Sequence, residues 1–92
     1  MKVNICGLEH DIIECEEMFD KDLHMGQIDY DKCQIKINKQ LAPQLKDATL
    51  CHEIMHGVLI HIGREDLSYD EQFMTALGNA VNQTFCVKKY DY

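Results

Sequence analysis

Residues 43–63 read PQLKDATLCHEIMHGVLIHIG, and their pattern predicts one long helix. Pro43 suits the first turn of a helix, and Gly63 suits the position just after the last turn. The apolar residues between them fall on almost every side of the helix: Leu45, Ala48, Leu50, Ile54, Met55, Val58, Leu59, Ile60 and Ile62. A helix that is apolar all round is buried on several sides, so we expect this one to lie between two other layers.

Alternating polar and apolar residues ahead of this helix predict a small sheet. Residues 27–30 and 33–38 alternate clearly, and the two polar residues between them suggest a hairpin turn. Ile35 and Ile37 would then face the core, while their polar neighbours face water.

Two further regions complete the predicted elements. Residues 3–6 and 10–15 alternate more weakly and indicate additional extended segments near the amino terminus. After the central helix, Ser68 and Glu71 match a capping box, in which a serine is followed three residues later by a glutamate. This motif predicts a second, amphipathic helix that continues to Phe85.

These elements predict a single α+β domain over residues 1–92. The sheet, antiparallel and of three to four strands, would pack against one side of the central helix, and the C-terminal helix would cover the other side. A chain of 92 residues has room for one modest core and not for a second.

Composition and charge exclude several classes of function. No apolar run approaches the ~20 residues needed to cross a bilayer, and the amino terminus lacks the apolar stretch of a secretory signal. We therefore expect a cytoplasmic protein that has no membrane partner. The net charge of −7 argues against a surface that neutralises phosphates, so we expect no nucleic-acid partner.

The five cysteines are odd in number and form no Cys-x-x-Cys pair, which predicts free thiols. In a reducing compartment most of them would serve as small buried hydrophobic residues. They are Cys6, Cys15, Cys33, Cys51 and Cys86.

The motif His52-Glu53-Ile54-Met55-His56 lies in the middle of the central helix and predicts a metal site. Positions i and i+4 of a helix project in nearly the same direction, so both imidazoles can bind one ion. The glutamate between them points partly aside, where it can reach a metal-bound water as a general base. Burying these three polar groups without a partner would be costly, and metal ligation compensates for that cost.

A third ligand has to come from another element, and the start of the second helix offers Asp70 and Glu71. Asp70 falls closer to the centre of the apolar face that includes Phe73, and Glu71 lies near the edge of that face. We favour Glu71, because Gly78 two turns later allows the helices to approach closely on its side. Asp70 stays open as the alternative. Two imidazoles and a carboxylate suit zinc, so we expect one Zn²⁺.

The remaining histidines and the terminal segment are predicted to lie outside the site. His61 is nine residues beyond His52 and points to the opposite side of the helix. His10 is expected at the surface, and Cys51 is expected to pack away from the two motif histidines. The carboxyl tail, residues 87–92, is expected to fray, with folding back over the cleft as the alternative.

Peptide hydrolysis also needs a group that stabilises the oxyanion. His24, Tyr30, Arg64 and Tyr69 are candidates, and the sequence does not rank them. An edge strand, expected at residues 33–38, would hold an extended peptide by backbone pairing.

The segments HEIMHG (52–57) and DEQFMTAL (70–77) resemble the small zinc metallopeptidases of bacteria and phages known as the ImmA/IrrE-like group. Residues 26–29 and 35–38 also resemble the hairpin ahead of the active-site helix in that group. The resemblance covers roughly residues 26–85 and is most specific at the motif. The chain departs from larger members because it lacks their helix-turn-helix domain or extra helices.

This resemblance implies a gluzincin-type HExxH hydrolase. His52, His56 and Glu71 would bind one zinc ion, and Glu53 would be the catalytic base. The partner would be a protein or peptide substrate, such as a regulatory protein.

Two other functions compete with a zinc metallopeptidase. One is a non-catalytic zinc-containing protein-binding module, in which the ion stabilises a small chain. The other is an acidic mimic of nucleic acid. Glu53 favours catalysis, because a structural ion has no use for a general base beside its water. The ligand number points the same way, since a structural zinc ion normally has four protein ligands.

Overall fold

The computed structural model describes residues 1–16 and 25–91, which form a four-stranded sheet and three helices. The fold is α+β, as predicted. None of the helices in the described part of the chain has the length and hydropathy needed to cross a membrane. The elements are β1 (Lys2–Ile5), β2 (Leu8–Cys15), β3 (Gly26–Asp29), β4 (Gln34–Asn38), α1 (Pro43–His61), α2 (Glu65–Ser68) and α3 (Glu71–Thr84).

The sheet has the strand order β1-β2-β4-β3 and is mixed. β1 and β2 form a hairpin whose turn residues, Cys6 and Gly7, have φ of 51° and 88°, as a tight primed turn requires. β3 and β4 form a second antiparallel pair, but β2 and β4 run parallel. The prediction of a purely antiparallel sheet is therefore wrong. Alternation shows which face of a strand is buried and carries no information about the direction of its neighbour.

The core lies between the sheet and α1. Ile35 and Ile37 of β4 are buried as predicted, and Leu50 of α1 packs in the same cluster. α3 covers the opposite side of α1, so the helix lies between two layers, as its all-round apolar pattern predicted. α1 begins at Pro43 and ends before Gly63, whose φ of 81° favours glycine.

His10 is fully buried, so the expected surface position is wrong. It pairs with Val3 across the first hairpin, and directly opposed residues point to the same face of a sheet. Because Val3 belongs to the core, His10 faces the core as well. Its Nδ1 donates a hydrogen bond to the Leu8 carbonyl oxygen at 2.9 Å, and its ring meets the exposed His61 ring edge-on.

The long C-terminal helix begins later than the capping box predicts. Ser68 ends the short helix α2, and Asp70 is the N-cap of α3. The Asp70 carboxylate accepts a hydrogen bond from the Phe73 backbone N–H at 3.0 Å. The predicted capping role of Ser68 and Glu71 is therefore wrong. Since Asp70 caps the helix, the side chains of Ser68 and Glu71 are available for contacts with α1.

All five cysteines are free thiols, but only Cys51 is buried. Cys6 and Cys86 are exposed, and Cys15 and Cys33 are intermediate, so the prediction of mostly buried thiols is wrong. Cys51 packs in the interior as predicted, and burial raises the pKa of its thiol.

The C-terminal segment pairs with β1 as far as the structure describes it. Lys2 and Tyr90 exchange two backbone hydrogen bonds of 2.7 and 2.9 Å, and the terminal ammonium of Met1 lies 3.2 Å from the Asp91 carboxylate. Val87 packs against the core. The expectation of a frayed tail is wrong for these residues, and the segment lies at the β1 edge of the sheet.

Candidate metal centre

Three side chains from two helices converge beside α1. His52 and His56 project from the same side of α1, and Glu71 is the first residue of α3. The two Nε2 atoms of the histidines are 3.1 Å apart. One carboxylate oxygen of Glu71 lies 3.2 Å from His56 Nε2, and the other lies 3.4 Å from His52 Nε2. One donor atom from each residue can be chosen so that all three lie within 4.8 Å of one another.

These distances fit the coordination of a single metal ion. Two donor atoms that each lie ~2.0–2.1 Å from a tetrahedral zinc ion are separated by about 3.3 Å. The three nearest contacts in the cluster are 3.1, 3.2 and 3.4 Å, close to that separation. The two Glu71 contacts are made by different carboxylate oxygens, and one donor atom from each residue keeps all three within 4.8 Å, so the His52, His56 and Glu71 group can hold a single metal ion.

Ser68 orients one of the two imidazoles. Its hydroxyl oxygen lies 2.8 Å from His56 Nδ1, and the serine is 3% exposed. When Nδ1 carries the proton and donates it to this oxygen, Nε2 turns its lone pair to the centre of the cluster. The sequence does not predict this role, because Ser68 matches a local capping pattern. The available signal was the short connection from α1 to α3, which keeps Ser68 close to the end of α1.

The ring of His56 favours the neutral form. Its side chain is 12% exposed, and this burial lowers the pKa of the imidazole. The Glu71 carboxylate opposes that shift, and the neighbouring His52 adds to it. A neutral imidazole has a free lone pair, which is the form that binds a metal ion.

Glu53 is a buried carboxyl group beside the two histidines, where a cleft opens to the surface. Burial raises the pKa of Glu53 to about 7, and the negative charge of Glu71 adds to the effect. The residue is 9% exposed but lines the cleft beside the two histidines. A carboxyl group with a pKa near neutrality can accept a proton and release it again, as a general base must.

Gly78 sets the distance between α1 and α3. A Cβ atom at this position would lie 3.2 Å from His52 Cα, so the backbone of α3 passes directly over His52. Met74 and Gly78 are the buried residues of α3, and they lie three and seven positions after Glu71, on its side of the helix. The close approach predicted from Gly78 is confirmed. Asp70 caps the helix, and the structure brings Glu71 to the two histidines.

A cleft of about 820 Å³ runs past the cluster, between α1, α3 and the β3 edge of the sheet. Of the four candidates for stabilising an oxyanion, Tyr30 and Tyr69 line it. The Arg64 guanidinium forms a two-pronged ion pair with Asp66 at 3.0 and 3.1 Å and does not line the cleft. His24 lies outside the described residues.

The edge strand beside the cleft is β3, so the expectation that residues 33–38 form the edge is wrong. β4 lies between β2 and β3, whereas no described strand pairs with the outer side of β3. The Met25 carbonyl oxygen accepts a hydrogen bond from Asn38 N–H at 2.9 Å. Because the hydrogen-bonded residues alternate along an antiparallel pair, the N–H and C=O groups of Gly26 and Ile28 point outward, away from β4.

No family model, curated protein or solved structure matches this chain. The chemistry of the site therefore follows from its own donor atoms, their burial and the cleft beside them.

Proposed function

We propose that this chain is a zinc-dependent metallopeptidase, of the ImmA/IrrE-like kind that its motifs resemble, and that it hydrolyses peptide bonds of a protein substrate. The observation that carries the proposal is the convergence of His52, His56 and Glu71 within 4.8 Å, at a cleft that Glu53 also lines. The geometry and the donor set fit zinc.

Within the described residues, the number of ligands favours catalysis over a purely structural ion. His52, His56 and Glu71 would hold the ion, and three protein ligands leave a tetrahedral ion one position for solvent. When bound, zinc polarises a carbonyl oxygen and lowers the pKa of a water molecule. The cluster faces an open cleft, so water and a substrate can reach this position.

Glu53 is the proposed general base. Its carboxylate takes a proton from the attacking water and delivers it to the nitrogen of the leaving amine. In the metal-free chain, burial raises the pKa of Glu53 to about 7, so this carboxyl group can both bind and release a proton near neutral pH.

Tyr30 is the proposed donor to the carbonyl oxygen of the substrate. Its hydroxyl interacts with Ser68, and burial raises the pKa of the phenol, so the group keeps its proton and can donate it. Tyr69 also lines the cleft but is 75% exposed, which leaves its ring less restrained. We therefore rank Tyr30 above Tyr69 for this role.

The open edge of β3 is the proposed binding site for the peptide backbone. The outward N–H and C=O groups of Gly26 and Ile28 can pair with an extended chain. Both residues line the cleft beside the histidines, so a peptide paired there would pass the metal site.

The deciding experiment combines metal analysis with a conservative substitution at Glu53. Protein purified without chelator should contain one zinc per chain and should cut a proteome-derived peptide mixture, detected as new amino termini by mass spectrometry. The Glu53→Gln variant should keep its zinc and lose at least about a hundredfold in rate. The Glu65→Gln variant changes an exposed glutamate of α2 and should match the wild type.

Other results would select another function. Zinc-loaded wild-type protein that retains peptides from the mixture and cuts none of them supports the non-catalytic binding module. Two results together support the acidic mimic and contradict the peptidase. The purified protein would contain no metal, and a folded His52→Ala variant would keep its function.

A further inference from the structure

The cleft has two unlike halves, one on each side of the cluster formed by His52, His56 and Glu71. Gly78 packs on His52, while Glu71, two turns earlier in α3, reaches His56, one turn later in α1. α3 therefore runs opposite to α1 along this contact. One half of the cleft lies beyond His56, and the other half lies on the amino-terminal side of His52.

The half beyond His56 carries hydroxyl groups. Tyr30 follows β3, Ser68 is the last residue of α2, and Tyr69 follows Ser68. All three line the cleft, and Ser68 is committed to His56 through a 2.8 Å hydrogen bond. We call these three residues the hydroxyl half of the cleft. It has the groups needed to bind polar atoms of a peptide bond.

The half before His52 carries aliphatic side chains. Leu45 and Ala48 lie seven and four residues before His52, on the same side of α1, and Met25 faces them from the residue before β3. Met25 is 44% exposed and Leu45 is 41% exposed, which is high for side chains of this size inside a cleft. We call Met25, Leu45 and Ala48 the aliphatic half of the cleft.

The wall of the cleft that α3 provides is polar and, apart from Glu71, uncharged, from beside the cluster to the aliphatic half. Thr75 and Asn79 follow Glu71 by one and two helical turns, and both line the cleft. None of the described residues that line the cleft is a lysine or arginine, and its acidic side chains are Glu53 and Glu71. Among the described residues, an acidic side chain entering this half would find no lysine or arginine to pair with and would lose its hydration without compensation.

The shape of the aliphatic half limits what it can hold. Gly26 packs so closely on α1 that a Cβ atom there would lie 2.7 Å from Thr49 Cγ2, which closes the floor. Ala48 is small and stands between the longer side chains of Leu45 and His52, so the wall recedes at this point. The space suits one aliphatic side chain projecting from a peptide that pairs with β3.

We infer that the aliphatic half is a subsite for one leucine- or methionine-sized side chain of an extended peptide, next to the bond that is cleaved. The inference rests on the proposed peptidase function and deepens it by naming the substrate class. Contact with Met25, Leu45 and Ala48 removes apolar surface from water, and the adjacent Gly26 supplies the backbone pairing that positions the peptide.

A positional-scanning library of extended octapeptides tests the subsite. With zinc-loaded wild-type protein, leucine and methionine should exceed aspartate at one position adjacent to the cut by about tenfold or more. The Ala48→Met variant fills the recess, so the preference at that position should move to alanine and glycine. The Ala80→Met variant adds the same side chain at an exposed position of α3 outside the cleft and should keep the wild-type preference.

A binding arm separates failure of the subsite from failure of the peptidase. The same library is passed over immobilised, zinc-loaded Glu53→Gln protein, and the retained peptides are identified by mass spectrometry. Preferential retention of leucine and methionine peptides, lost in a Glu53→Gln, Ala48→Met double variant, supports the subsite even if the wild type cuts nothing. Equal handling of aspartate and leucine at every position, or an unchanged preference after Ala48→Met, overturns it while leaving any observed cleavage intact.

Discussion

The two edges of the sheet differ in whether another described segment of the chain pairs with their backbone groups. At the β1 edge, Tyr90 pairs with Lys2 through two hydrogen bonds, and Val87 adds its side chain to the core. At the β3 edge, the N–H and C=O groups of Gly26 and Ile28 point outward, and no described strand pairs with them. One edge is covered by the chain itself, and the other borders the cleft that His52, His56 and Glu71 line.

Under the proposed function, this difference separates the edge that stabilises the fold from the edge that would bind the substrate. Exposed strand edges invite unwanted pairing, and proteins usually cover or shorten them. β3 has four residues, and it lies beside His52 and His56. We infer that the covered edge contributes to the stability of the fold and that the open edge is kept for a peptide. If this inference is right, substitutions at one edge should leave the property that depends on the other edge unchanged.

The largest expected effect is on zinc binding by His52, His56 and Glu71, beside the open β3 edge. Replacing His52 with alanine removes one of three ligands, whereas loss of an outer partner alone typically costs 10–100-fold in affinity. We therefore expect His52→Ala to weaken zinc binding by about a thousandfold or more in competition titrations with a chelator. His61→Ala removes an exposed histidine from the same helix and should bind zinc like the wild type. Equal loss in both variants would contradict the site.

The second prediction concerns the free energy of unfolding of the metal-free chain. Burial raises the pKa of Glu53 from the ordinary 4.5 to about 7. Between these two pH values the folded state therefore keeps a proton on Glu53 that the unfolded state has released. Stability from this group is fully present below about pH 4.5 and is lost as the pH rises through about 7. The loss should reach about 3 kcal/mol, which chelator-treated protein will show in urea titrations at several pH values.

Glu53→Gln isolates this effect, because glutamine does not titrate. His56 acts with the opposite sign, since its lowered pKa makes stability fall as the pH drops. That contribution is common to both proteins and cancels when wild type and variant are compared at each pH. A wild-type minus variant difference that is flat from pH 4.5 to 8 would rule out the raised pKa.

The parts of the molecule that the sequence predicts well are those that depend on neighbours close along the chain. The i, i+4 spacing of His52 and His56 places both rings on one side of a helix, whatever the rest of the fold does. Ile35 and Ile37 alternate with polar residues, and both are buried in β4. Gly78 was informative because a missing side chain marks a close contact wherever the partner comes from.

The errors arise where contacts across the fold decide the outcome. His10 resembles a polar strand residue, but its partner Val3 directs it into the core. Ser68 matches a capping box, but its hydroxyl bonds His56, and Asp70 caps the helix in its place. The parallel pairing of β2 and β4 leaves no trace in either strand alone. A local pattern does not show which residue of another element a side chain or a strand will contact.

The third prediction tests the covered edge. Removing residues 87–92 deletes the Val87 contact with the core and the two hydrogen bonds between Tyr90 and Lys2. We expect unfolding to become easier by about 2 kcal/mol, from partial burial of one aliphatic side chain and two backbone hydrogen bonds. Thermal denaturation measures the loss, and Lys88→Ala in the full chain is the control for an exposed position. Zinc affinity should change less than twofold, and a larger change would show that the edges are coupled.

The smallest expected effect comes from Ser68, which contacts the site without binding the ion. Ser68→Ala removes the oxygen 2.8 Å from His56 Nδ1, so the ring loses the partner that orients it and selects its tautomer. We expect zinc affinity to fall about tenfold, or about 1.4 kcal/mol, in the same chelator competition used for His52. Thr84→Ala removes another hydroxyl, one that bonds only its own helix, and should leave zinc affinity unchanged. If Ser68→Ala also left zinc affinity unchanged, the orientation of the His56 ring would have to come from packing alone. The Ser68 hydroxyl would then have no part in metal binding.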